Sequence, residues 1–167
     1  MMDDAISTAR SARALLERIG ARIPGFRGYL ERELRREVDQ LLRAQLAERL
    51  DAARERVASY TRSLGLSAAS ALTRLAGIDK SLDAVANAVR HAGSGYGGLF
   101  DAVKVREEQL EALYRHDLEL VEQVETVAAA AARLGDGDDA IARLEAAIAS
   151  VRERLDARSA ALKSVFS

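Results

Sequence analysis

The 167-residue chain has no cysteine, no tryptophan and a single proline, and aromatic residues make up only 4% of it. Without cysteine there can be no disulfide and no thiolate metal site. With one proline, Pro24, almost nothing interrupts a helix once it has started. No stretch approaches the roughly 20 apolar residues that a membrane-spanning helix needs. The acidic opening Met1-Met2-Asp3-Asp4 lacks the basic start of a secretory signal, so a cytoplasmic address is expected. A net charge of −1 gives no global field that would favour nucleic acid.

What is present is hydrophobic and charged. The two classes account for 49% and 31% of the residues. Ala, Leu, Glu and Arg dominate, and all lose little side-chain freedom in a helix. Val and Ile are scattered at helical spacing rather than in alternating strand-like runs. Basic charge is carried mostly by arginine; only Lys80, Lys104 and Lys163 are lysines. Residues 1–62 carry +3 and residues 63–167 carry −4, a dipole too small to imply a partner.

The apolar spacing predicts an all-α protein of about five amphipathic helices in one domain over residues 1–167. A short N-terminal helix occupies 1–23, with Ile6, Ala9, Leu16, Ile19 and Ile23 on one stripe and Asp3 or Asp4 as its cap. Gly20 and then Ile23-Pro24-Gly25 are expected to end it. A first antiparallel hairpin spans 29–92. Its long arm carries Leu30, Leu34, Val38, Leu41, Leu42, Leu46, Leu50, Ala53, Val57, Tyr60 and Leu64, a stripe that suits coiled-coil packing. Ser67 is the expected cap of the second arm, and Gly77-Ile78-Asp79 is expected to kink or split it. A glycine-rich connection, 93–103, leads to a second antiparallel hairpin over 104–167. There the stripes are Leu110, Leu113, Leu118, Val121, Val124, Val127 and Ala131, then Ile141, Leu144, Ile148, Val151, Leu155 and Leu162. Gly135-Asp136-Gly137-Asp138-Asp139 reads as the turn between them, with an aspartate capping the last helix.

The constellations that could carry chemistry fall short of it. Gly93–Gly98 has no strand before it and no Gly-Lys-Ser/Thr ending, so it reads as a connection rather than a phosphate loop. His91 and His116 lack the glutamate three residues earlier that a di-metal bundle site requires, and both read as surface or capping histidines. The aspartates of 136–139 lack the glycine and glutamate of a calcium loop. The carboxylates of 107–125, Asp117 among them, read as a solvated face. No catalytic residue, metal ligand, cofactor or small-molecule substrate is expected, and the chain reads as a non-enzyme. The segment from Ile23 to Tyr29 is the most informative one. Ile23, Pro24, Gly25, Phe26 and Tyr29 turn the chain and offer aromatic contact, as a structural corner, a docking loop or a hinge for the first helix. Tyr96 and Phe100 are the corresponding candidates in the glycine-rich stretch.

Two blocks carry a resemblance. Ile23–Tyr29 continuing into Glu31-Arg32-Glu33-Leu34-Arg35-Arg36-Glu37-Val38-Asp39-Gln40-Leu41-Leu42-Arg43, and Gly95-Tyr96-Gly97-Gly98-Leu99-Phe100-Asp101-Ala102-Val103-Lys104-Val105 followed by Leu113-Tyr114-Arg115-His116-Asp117-Leu118, look like those of a family of small bacterial helical proteins. That family resembles this chain in size and is associated with band-7 (stomatin/SPFH) and phage-shock-type membrane-stress genes. The resemblance brings no activity and no catalytic residue with it. It implies an adaptor or scaffold in a membrane-associated assembly, at the inner face of the membrane, with a protein partner or a second copy. The alternative is a peripheral membrane protein using its N-terminal helix, which carries Asp3, Asp4 and Glu17 against Arg10, Arg13 and Arg18 and no tryptophan or phenylalanine.

Overall fold

The computed structural model describes residues 2–23, 35–92 and 107–165. They form five helices: α1 (Met2–Arg22), α2 (Arg35–Ser63), α3 (Ala69–His91), α4 (Glu107–Ala132) and α5 (Ala140–Val165), with a 3-10 turn at Leu66–Ala68. No strand occurs among the described residues. The chain is an all-α protein, built from two helical hairpins and an N-terminal helix.

Pairing follows the apolar stripes. α2 packs on α3 and α4 on α5, and the hairpins meet through α2 against α4 and α3 against α5. Direction can be read from the polar contacts. Arg54 of α2 meets Asp79 and Asp83 of α3, while Arg43 reaches the carbonyl of Arg90, so this pair is antiparallel. Glu119 pairs with Arg154 and Asp117 with Arg158, so α4 and α5 are antiparallel too. The result is a four-helix bundle with α1 laid against α4.

The core is continuous. Leu42, Leu46, Leu50, Ala53 and Val57 of α2 are buried with Leu75, Ile78, Leu82, Val85 and Val89 of α3. Val121, Val124 and Val127 of α4 and Leu144, Ile148 and Val151 of α5 close it from the other side. Each large side chain hidden in this way contributes about 1.5–3 kcal/mol. The side chains of Ile6, Ala9, Val38 and Leu110, and the whole of Leu30 and Leu34, lie outside the described residues.

Three local expectations are corrected. α1 runs through Gly20 to Arg22, because burial of Ile19 and Ile23 on either side outweighs glycine's helix penalty of about 1 kcal/mol. α3 runs unbroken through Gly77, held by Leu75 and Ile78 beneath it. Ser67 does not cap α3; it lies inside the 3-10 turn, and the cap position is Ala68, with no side-chain hydrogen bond. The turn between α4 and α5 is as expected, with Gly137 at φ +93°, where a side chain would be strained. The Asp139 carbonyl accepts the amide of Arg143 at 2.9 Å to start α5.

Candidate interaction site

Of the candidate contact residues, Ile23 alone is described. It is 1% exposed, in the core, and its amide donates to the Ile19 carbonyl at 3.1 Å. Ile23 is therefore engaged inside the molecule. Pro24, Gly25, Phe26, Tyr29, Tyr96 and Phe100 lie outside the described residues.

α1 is seated by a mixed contact. Ile19 and Ile23 enter the core, with Leu15 and Leu16 packed against it. On the rim, Arg22 Nη1 donates to Glu122 Oε1 at 3.0 Å and stands 3.8 Å from Glu125 Oε2. Arg18 lies 3.8 Å from Glu122. Arg49 of α2 donates to the Arg22 carbonyl and pairs with Glu125 at 3.4 Å.

At the bundle end where α2 and α4 begin and α5 finishes, four charges are gathered, two of them buried and two partly buried. Arg158 of α5 is 2% exposed. Its Nε donates to Asp117 of α4, and its Nη2 to Asp39 of α2 at 2.5 Å. Arg43 then holds Asp39 at 2.7 Å and donates to the Arg90 carbonyl of α3 at 2.9 Å. Two arginines and two aspartates thus tie all four bundle helices together with no net charge. Burial pushes the Asp117 carboxyl above its ordinary range, outweighing the attraction of Arg158. Arg158 itself is held above the ordinary guanidinium range, because the two carboxylates outweigh its own burial. His116, next to Asp117, is half-buried, and its Nδ1 has no hydrogen-bond partner among the described residues.

This cluster overturns the reading of Asp117 as part of a solvated face: it is 5% exposed. It also takes His116 off the surface, while His91 is exposed as expected. A signal for the cluster was present in the sequence. Leu155 and Leu162 leave a gap in the α5 stripe, and Arg158 fills it. Asp117 lies on the α4 stripe beside Leu118, four residues after Leu113 and four before Val121. Opposite charges at stripe positions of two antiparallel helices are compatible with a buried pair once packing brings them together.

The outer face of the second hairpin is different in kind. An open trough of about 440 Å³ runs between α4 and α5. Ala129, Ala130, Ala146 and the buried Ala147 line it together with Gln123, Thr126, Ser150, Arg133 and Arg143. Small side chains let another backbone approach closely, since the distance between packed helices is set by the residues at the contact. Elsewhere the surface is laced with exposed pairs. Arg54 donates to Asp79 at 2.6 Å and Arg74 to Glu145 at 2.6 Å. Their hydrogen bonds hold both carboxyls below the usual carboxylate range. Among the described residues, no group of three or more His, Asp or Glu is placed to hold a metal ion, and no helix is long and apolar enough to cross a membrane.

No family model, curated protein or solved structure matches the chain.

Proposed function

We propose that the chain is a non-enzymatic helical adaptor or scaffold that receives a helix of a second protein in the trough between α4 and α5. The observation that carries this reading is the trough itself: an open channel, lined by four alanines and five polar or charged side chains, between two helices whose buried residues already face the bundle. A helix laid in such a groove gains close backbone approach and apolar contact. Among the described residues, the middle of the α2 stripe, Leu42 to Val57, is buried against the other helices of the chain and offers no docking surface. The sequence resemblance adds the setting: a bacterial membrane-stress or SPFH-associated assembly, with the protein cytoplasmic at the inner face of the membrane. The alternative of α1 lying in a lipid interface draws no support from its seating, since Ile19 and Ile23 are engaged with the bundle.

The test is site-specific photo-crosslinking in the native cell. A crosslinking residue in place of Ala146 should capture one protein partner, and the same residue in place of exposed Ala76 on α3 should not. Ala129→Arg should abolish the Ala146 adduct while leaving the melting temperature nearly unchanged, because Ala129 is exposed. Equal capture from both positions, or none from Ala146, would count against the trough.

A further inference from the structure

The lining of the trough is ordered along its length. α4 and α5 run antiparallel. Thr126 and Ser150 therefore lie toward one end, Ala130 and Ala146 in the middle, and Arg133 and Arg143 at the end nearest the turn. Both arginines are exposed. Arg143 donates to the Asp136 carbonyl at 3.1 Å, and neither guanidinium is ion-paired to a carboxylate among the described residues. They differ in this from Arg54, Arg74, Arg154 and Arg158, each of which meets a carboxylate of another helix. Asp136, Asp138 and Asp139 occupy the adjoining turn but do not line the trough. At a distance they cancel the field of the two arginines, so this end does not attract a phosphate backbone or an anionic membrane. A single carboxylate brought along the trough meets the arginines at contact range, where their paired N–H donors fit its two oxygens.

We infer that the helix received by the trough is acidic at one end: it sets small side chains against Ala130 and Ala146, and one helical turn further on it places an aspartate or glutamate between Arg133 and Arg143. This deepens the trough reading and rests on it. The spacing follows from the lining. Arg133 is three residues beyond Ala130, and Arg143 three before Ala146, a step of about 4.5 Å along the axis. The acid of the partner therefore stands three or four residues from its small residue. Docking covers two exposed guanidinium groups, and a partner with no carboxylate at that place leaves them desolvated and unpaired. A helix with lysine or arginine there is rejected by like charge.

The experiment uses the full chain with a photo-crosslinking residue in place of Ala146 and two synthetic helical peptides as probes. Both peptides carry alanines at three- and four-residue spacing and have capped ends. One places two glutamates a turn beyond the alanines, the other two lysines. The glutamate peptide should crosslink roughly tenfold more than the lysine peptide at low salt, and the preference should shrink as salt rises. Arg133→Gln combined with Arg143→Gln should abolish the preference, whereas Arg133→Lys combined with Arg143→Lys should keep most of it. Both double variants should melt with the wild type, since the side chains are exposed. Equal crosslinking of the two peptides, no crosslinking of either, or a preference that survives the glutamine substitutions overturns the inference. It fails separately from the trough reading. In the native cell, an Ala146 adduct that is unchanged by Arg133→Gln with Arg143→Gln leaves the trough standing and overturns the acidic partner. Absence of any Ala146 adduct removes the trough, and the inference with it.

Discussion

Ile19 in α1 and Leu46 in α2 are equally hidden from water, at 1% and 0% exposed, but they sit in different company. Leu46 belongs to a row with Leu42, Leu50, Ala53 and Val57, and its helix is held by α3 on one side and α4 on another. Ile19 shares its seat with Ile23 and a few half-covered leucines, against α4. Both helices are arginine-rich and amphipathic, so composition does not separate them. The number of neighbours does. A helix with several partners unfolds only with the whole bundle. A helix seated mainly on one, as α1 is on α4 with Arg49 of α2 as a further contact, can leave alone, at a smaller cost in free energy. A second contrast runs parallel to the first. Arg158–Asp117 and Arg54–Asp79 are the same chemical pair, one inside and one at the surface, and burial makes the first all-or-none and the second nearly incidental.

The largest expected effect is in the bundle core. Arg158→Met leaves Asp117 and Asp39 without their shared partner and should cost about 3–5 kcal/mol, read as a fall in denaturant midpoint. Arg158→Met combined with Asp117→Leu should recover most of that loss, since Asp39 keeps Arg43. If the double variant is as unstable as the single one, the cluster is not a closed set of four charges.

Leu46→Ala and Ile19→Ala come next. Each removes a fully buried side chain, and each cavity would ordinarily cost about 2–5 kcal/mol. Leu46→Ala should lower the melting of the whole molecule by that amount. Ile19→Ala should cost less globally, because the loss is capped by the free energy with which α1 is seated. Equal global losses would erase the distinction between the two helices.

The smallest effect is in the pH profile. Asp79 and Glu145 have depressed pKa values, so their contribution is complete above the ordinary carboxylate value of about 4 and is lost as pH falls through the depressed values. Asp117 has a raised one, so its contribution is complete below about 4 and is lost as pH rises through the raised value. On acidification the Asp117 contribution is therefore gained above about 4, and those of Asp79 and Glu145 are lost below it. Asp117→Asn removes the first of these. Thermal melts from pH 7 to 4 should show the variant losing stability relative to wild type as pH falls; a constant difference would mean that Asp117 does not titrate in this range.

The helical architecture was legible in the sequence because apolar residues at three- and four-residue spacing leave little alternative. Leu42–Val57 and Leu144–Leu155 each announce one buried face. Gly20 and Gly77 were misleading, because a glycine's local preference is small beside the burial of Ile19, Ile23, Leu75 and Ile78 around it. Asp117 and Arg158 were missed for a different reason. A charge on an apolar stripe is compatible with burial only if its partner arrives from another helix, and that depends on packing rather than on local sequence. The trough was equally hidden: Ala129 and Ala146 look like ordinary helix formers until α4 and α5 are placed side by side. Ile23 was read as a candidate contact residue; within the described residues it is buried and anchors α1.

Native-state hydrogen exchange measures the difference between α1 and α2 directly. Amides of α1 between Leu15 and Arg22 should exchange through a local opening, roughly tenfold or more faster than those of α2 between Leu46 and Val57, and raising the salt concentration should widen the gap. Identical protection in both helices, insensitive to salt, would mean that α1 opens only when the bundle does, and would contradict the account.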